Sequence, residues 1–390
     1  MKKRVLITTA ILSVAIALAG CGSSNDAPAS SDSAASSEAS AESSAPASSD
    51  NTAGEEQAAA EAPAAGEATA GAIWYSFADT FISNARQTLL NISAADGTIE
   101  VTDADSQNDT GTQTNNMNNF FTRDVDFLVL NNINTGATNE ICDQILEQGC
   151  YGIFANTTVP EDENFEKNPK LYSVTSDAPV SGTIMGEALA AYWKEHPEAD
   201  RNGNGKLDYV MLLGIQGHYD TLVRSENAEK ALVDAGIEIE KIGGEIICEY
   251  SRATAQEKVA ALLANYSTDI DAVIACNDDM ALGAIEALKA GGFFTDDSTY
   301  IPVCGVDATA VGCDAIKDGT MLVTALNNPV NLSKAIYKVM YLLNSGQEVT
   351  TETIGLDGVT VDGQKVWLSY IAITKDNVEE ASYDINDVAF

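Results

Sequence analysis

The chain has 390 residues, with 58 Asp and Glu against 21 Lys and Arg, a formal net charge of −37 at pH 7. Binding nucleic acid or anionic lipid by charge needs clustered Lys and Arg, so this balance argues against both as partners. It favours a neutral or cationic ligand, although a local Arg can override the global field.

At the N-terminus, Lys2, Lys3 and Arg4 precede an apolar stretch from Val5 to Ala19. The stretch is too short to span a bilayer and fits the charged and apolar regions of a secretory signal. Leu18-Ala19-Gly20-Cys21 resembles a bacterial lipobox, whose Cys becomes the lipidated first residue of the mature protein. Residues 1–20 are thus expected to be a signal peptide, with Cys21 anchored in the membrane outside the cytoplasm. Residues 21–71 are Ser, Ala, Glu, Asp, Thr and Pro with almost nothing to bury, the composition of a disordered tether. The remainder of the chain is long for one core and suits two lobes.

Beyond the tether, apolar runs with strand character alternate with helical patterns. Strands are predicted at Ile73 to Phe77, Thr98 to Thr102, Asp126 to Leu130, Tyr151 to Ala155 and Leu171 to Val174, then at Leu207 to Leu213, Ile242 to Cys248, Ala272 to Cys276, Pro302 to Val306 and Met321 to Ala325. Helical periodicity covers Asp79 to Ile92, Ser181 to Trp193, Ser225 to Ala235, Gln256 to Leu263 and Asp279 to Ala290. Such alternation predicts an α/β fold, with parallel sheets covered by helices on both faces.

Ahead of the strand at Leu207, Asp200, Asn202, Asn204, Gly205, Lys206 and Asp208 occupy positions 1, 3, 5, 6, 7 and 9 of a calcium loop. Position 7 supplies only a carbonyl, so Lys206 is admissible. Position 12 is Met211, which cannot ligate, and the missing carboxylate must come from elsewhere. A solvated Asn/Gly turn is the plain alternative. Dockerin modules use similar loops in pairs, whereas this chain has one.

Six cysteines, Cys142, Cys150, Cys248, Cys276, Cys304 and Cys313, lie beyond the tether without a Cys-x-x-Cys pair. Buried free thiols are expected. With only His196 and His218 in the chain, a zinc site has little support.

Ligands of open α/β sheets bind outside the carboxyl ends of strands. Polar residues follow six predicted strands: Asp79 with Phe81, then Asn156, then His218, Asp220 and Arg224, then Asn277 and Asp278, then Asp307, then Asn327. Carboxylates, amides and a guanidinium are the mixture that the hydroxyls of a neutral polyol require, and Phe81 offers a face to the C–H side of a sugar ring. Taken singly, the Asp and Asn residues read equally as helix N-caps, Asp220 with Arg224 as a surface i,i+4 pair, and Phe81 as core.

Several segments together resemble the periplasmic galactose/glucose-binding proteins, substrate-binding components of sugar ABC transporters with the type I periplasmic-binding-protein fold. They are Asp105-Ser-Gln-Asn-Asp109, the loop 200–208, Gly217-His-x-Asp-x-x-x-Arg224, Asn277-Asp-x-Met-Ala-x-Gly-Ala-x-Glu-Ala-Leu-Lys289, Gly305-Val-Asp307 and Tyr370 onward. The resemblance implies two doubly wound lobes joined by a three-segment hinge, the first at 72–176 plus 329–362 and the second at 177–328 plus 363–390. It implies a monomeric, non-enzymatic receptor that closes on galactose or glucose and delivers it to an ABC permease. Sugar contacts carried over are Asp79, Phe81, Asn156, His218, Asp220, Arg224, Asn277, Asp307 and Asn327. Calcium ligands carried over are Asp200, Asn202, Asn204, the Lys206 carbonyl, Asp208 and a remote carboxylate that aligns with Asp271.

Two positions depart from the family. Arg252 stands where the second stacking aromatic is expected, with Tyr250 near, and Asp271 replaces a longer Glu. Arg252 could still stack by its planar guanidinium. The competing functions are a sensory subunit for a chemoreceptor or kinase, and a glycoside hydrolase working through Asp79, Asp220 or Asp307.

Overall fold

The computed structural model describes residues 67–159, Phe165 and 168–390. The signal, Cys21 and most of the tether lie outside the described residues. A first lobe is laid down by β1 (Ala68–Trp74), α1 (Thr80–Asp96), β2 (Ile99–Asp105), α2 (Thr110–Thr122), β3 (Phe127–Leu130), α3 (Thr138–Gln148), β4 (Tyr151–Ala155) and β5 (Leu171–Ser176). The second lobe is built from α4 (Ala178–Glu195), β6 (Leu207–Leu213), α5 (Tyr219–Asp234), β7 (Ile239–Lys241), β8 (Ile246–Ile247), α6 (Arg252–Tyr266), β9 (Ala272–Ala275), α7 (Asp278–Ala290), β10 (Val303–Asp307), α8 (Ala310–Lys317) and β11 (Val323–Leu326). The chain then returns for α9 (Pro329–Asn344), β12 (Val359–Asp362) and β13 (Lys365–Leu368), and crosses again to β14 (Ile371–Ile373).

The first sheet runs β12-β13-β5-β4-β3-β1-β2 and the second β14-β11-β10-β9-β6-β7, with β8 also paired to β6. All pairings are parallel except β12 with β13 and β14 with β11. Each sheet reverses its winding beside its first strand, at β1 in one lobe and β6 in the other, and such switch points are where open α/β sheets leave a crevice.

Strand residues alternate between two apolar layers. Trp74, Phe127 and Val129 face the core under α1 and α9, while Ile73, Leu128 and Leu130 face the core under α2 and α3. Burial on both faces explains why these strands read as continuous apolar runs. In the second lobe α4 and α5 approach closely through Gly182, where a Cβ would fall 2.2 Å from the Arg224 carbonyl oxygen.

Several expectations need correction. The tether ends sooner than residue 71, since Ala68 to Gly71 already pair with Ile99 to Thr102 on one side, and Ala70 and Gly71 with Phe127 and Leu128 on the other. Their small side chains read like the tether, but ladder bonds and the Phe120 ring over Gly71 order them. Ile242 to Cys248 is not one strand: the left-handed Gly243 and Gly244 interrupt the edge between β7 and β8. The helix expected from Ser225 starts at Tyr219. Residues 365–368 belong to the first lobe, because β13 pairs with β5. The third hinge passage therefore falls at Ser369 and Tyr370, later than 362, and the C-terminal residues, expected in the second lobe, return to the first.

Candidate functional site

The carboxyl ends of the two sheets face each other across a cleft. Asp79, Phe81, Asn156, His218, Asp220, Arg224, Asn277, Asp307 and Asn327 all line it. The N-cap alternative proves compatible with that position. Asp79 caps α1 through Ile82 N (2.8 Å) and accepts from Tyr75 Oη (2.5 Å), while Asn277 caps α7 through Met280 N (2.9 Å). A strand that ends where a helix begins places its capping residue at the crevice, so one side chain can serve both ends. Asp220 and Arg224 are both buried, which removes the surface-pair alternative.

Arg224 is held by three donations: Nε to Ser181 Oγ (2.9 Å), Nη1 to the Cys276 carbonyl, and Nη2 to Tyr370 Oη (3.1 Å). A guanidinium has five N–H donors, so two remain. Asn327 accepts from Ser176 Oγ (2.9 Å) and donates to Asn156 Oδ1 (3.1 Å), tying two hinge passages to the cleft. Two atoms are left over. His218 Nδ1 and Asp220 Oδ1 are buried without a hydrogen-bond partner. An unsatisfied buried polar group is costly, and the position of these two in the cleft marks where a polar ligand would supply the missing bonds.

Burial raises the Asp79 carboxyl to about 6 and the Asp307 carboxyl well above its usual range, the latter helped by the Asp79 charge. Burial lowers the His218 imidazole, keeping it neutral. Asn156, Tyr250 and Asp307 sit at positive φ (49°, 60° and 112°), backbone strain of the kind that concentrates at binding sites.

Arg252 does not join the cleft. Its guanidinium pairs with Glu286 on the helix surface. Tyr250 lines the cleft instead, its hydroxyl 2.8 Å from Thr221 Oγ1 and its ring 6.0 Å edge-on from Tyr75 of the other lobe. Gly214 makes room for that ring, since a Cβ there would lie 2.2 Å from it. Tyr75, Asn131 and Asn132 also line the cleft and were missed. Asn131 and Asn132 follow the strand predicted to end at Leu130, so the strand-end rule could have found them; Tyr75 could not be found that way, because β1 ends at Trp74 and not at Phe77.

The lobes also bond across the cleft rim. Thr80 donates from N and Oγ1 to Asp279 (3.1 and 3.0 Å), and Tyr219 N donates to Thr135 Oγ1 (3.1 Å).

Away from the cleft, the loop 200–208 folds on its own side chains. Asp200 accepts from the backbone N–H of Gly203, Asn204 and Gly205. Asn202 and Asn204 donate to Asp208 Oδ2 (2.6 and 2.8 Å), and Asp208 Oδ1 is buried without a partner. Asp271 does reach the loop, accepting from Arg201 N and Asp208 N, both at 2.9 Å. Burial, with the charges of Asp208 and Asp200 beside it, raises its carboxyl to about 6. Lys206 turns its ammonium out toward Glu238 and Glu240. Among the described residues no three or more His, Cys, Asp or Glu side chains gather as a metal cluster. A cation here would lean on amide and carbonyl oxygens as well, which is calcium chemistry, and the orphaned Asp208 oxygen fits it. All six cysteines beyond the tether are buried, and none is in a disulfide.

Residues 70–348 match the family model described as a periplasmic binding protein domain. The chain belongs to the periplasmic binding protein family. It is accordingly a non-enzymatic solute-binding protein that works outside the cytoplasm. It is 30% identical over 309 residues to the D-galactose/methyl-galactoside binding periplasmic protein of Haemophilus influenzae, covering 79% of this chain and 90% of that one. It is 24% identical over 271 residues to the D-xylose-binding periplasmic protein of Escherichia coli, covering 69% and 76%. Among solved structures, the fold matches an ABC transporter solute binding protein from Bacillus halodurans with bound myo-inositol at a TM-score of 0.64, with 24% identity and coverage of 81% and 97%. Among the described residues no helix is long and apolar enough to cross a membrane.

Proposed function

We propose that this periplasmic binding protein captures a neutral monosaccharide, galactose or glucose, between its lobes and delivers it to an ABC permease. The observation that carries the reading is the pair of buried, partnerless atoms, His218 Nδ1 and Asp220 Oδ1, opening into one cleft with the spare N–H groups of Arg224. Sugar hydroxyls can donate to the carboxylate, accept from the guanidinium and do either toward the imidazole nitrogen. A net acidic cleft disfavours sugar acids and phosphates. The galactoside-binding relative supports the hexose, and the xylose-binding relative makes a pentose the nearest competitor.

In the same reading the protein is a monomer tethered to the membrane by a lipid on Cys21, and calcium sits in the loop 200–208. Asp200, Asn202, Asn204, the Lys206 carbonyl, Asp208 and Asp271 would hold the ion, which would stiffen the turn leading into β6. Calorimetric titration against a panel of hexoses and pentoses, with and without chelator, tests the proposal. Binding of galactose or glucose well above the pentoses, with the sugar recovered unchanged, is the expected result; no heat from any neutral sugar would overturn it.

A further inference from the structure

Three passages between the lobes suffice for a hinge, yet this chain makes a fourth. After β14, Val378 and Ala381 are buried in the core of the second lobe, against α8. Two residues later Tyr383 still lies beside Ala310, Cys313 and Lys317 of the second lobe, while its Oη accepts from Asn84 Nδ2 of α1 in the first lobe at 3.2 Å. The rest of the tail runs along α1 and α9. Asn91 Nδ2 donates to the Ile385 carbonyl (3.1 Å), and the largely buried Lys334 ammonium pairs with Asp387 (2.7 Å). Phe390 closes the run, its ring edge-on to Tyr337 at 4.8 Å and near Tyr341 at 5.8 Å.

We propose that residues 382–390 are a strap that limits how far the lobes open and biases the ligand-free protein toward the closed arrangement. The physical reason is reach. Ala381 and Ile385, the first tail residue whose backbone is bonded to the first lobe, are four residues apart and span at most about 14 Å when fully extended, so the link cannot lengthen beyond that without freeing an anchor. Both ends are anchored by burial, an ion pair and ring contacts instead of by solvated backbone. Asn84 lies one turn beyond Thr80, whose bonds to Asp279 hold the lobes together at the rim. Opening that breaks the rim bonds therefore draws on the strap as well and stops when it is taut, unless one anchor detaches. A free protein held near closure spends more time in its binding-competent form, which raises apparent affinity.

The test places spin labels at the exposed Glu147 of α3 and Glu226 of α5, one in each lobe, and reads the distance distribution of the ligand-free protein by pulsed EPR. One variant inserts four Gly/Ser residues after Ser382, keeping both anchors but adding slack; a second ends the chain at Ser382. Both are expected to populate longer distances than the parent protein, with the insertion variant keeping its melting temperature. Galactose affinity is expected to fall roughly threefold to tenfold in both. Only this last arm rests on the sugar reading, and the distances stand without it. An insertion variant whose distances superimpose on the parent's overturns the strap. So does opening seen on truncation alone, because the tail would then act by packing the first lobe.

Discussion

Asp220 is a buried acid with bonding capacity that no protein donor fills. It occupies the first turn of α5, is buried, and leaves one carboxylate oxygen without a donor. Removing it should cost at least one charge-assisted bond to a sugar hydroxyl, about 1.5–3 kcal/mol each. Asp220→Ala is accordingly expected to weaken sugar binding by roughly tenfold to a hundredfold or more, with no fall in melting temperature, since Oδ1 has no protein donor to lose; retained tight binding would remove it from the site. Tyr250 and Arg252 make a sharper pair. Arg252→Ala is expected to leave affinity unchanged because its guanidinium stays on Glu286 outside the cleft. Tyr250→Ala removes a ring that touches both lobes and should weaken binding at least about tenfold, with Tyr250→Phe, which loses only the Thr221 bond, close to the parent. Titration of the three variants separates the two positions. The motif alignment pointed to 252 because it counts along the chain, whereas the left-handed backbone at Glu249 and Tyr250 turns the earlier residue inward.

At the scale of elements, the loop 200–208 couples a turn to a strand. Its backbone is organised by Asp200 and its two amides, but Asp208 and Asp271 bring carboxylates together at the start of β6 and before β9. If the orphaned Asp208 oxygen is a calcium ligand, Asp208→Ala should lower the melting temperature by several degrees more in calcium than in chelator, where only the bonds from Asn202 and Asn204 are lost. An equal loss in both buffers would mean that the loop holds no ion. The donor spacing was legible from residues 200 to 208 alone. The sixth donor was not, because Asp271 lies far along the chain and reaches the loop only by the pairing of β6 with β9. The break between β7 and β8 shows a parallel limit: the apolar run hid two glycines whose positive φ could be seen only once the edge was laid beside β6.

For the whole molecule, the acidic interior predicts an unusual response to pH. Burial raises the Asp79 and Asp271 carboxyls to about 6 and the Asp278 carboxyl to about 7. A carboxyl raised above its unfolded value of 3.8 binds its proton more tightly when folded. The stabilisation is thus complete below about 4 and is lost as pH rises through about 7. Chemical denaturation of the ligand-free and calcium-free protein should show these groups lowering stability across that window, and calcium should reverse the Asp271 share by favouring its charged form. A stability that climbs from pH 4 to 7 in chelator would contradict the assignment.

Local chemistry was enough to specify that this is an alternating α/β chain whose polar strand ends carry the site, because strand patterning, capping residues and loop donors are all encoded within a few residues of one another. The convergence of Asp79, Asn156, Asp220 and Asp307 on one cleft needed the two sheets to face each other. The replacement of Arg252 by Tyr250, the arrival of Asp271, the ordering of Ala68 to Gly71 and the return of the tail to α9 depend on segments distant in sequence meeting in space. Those contacts arise from packing and ladder pairing between elements, for which a single sequence carries no local signal.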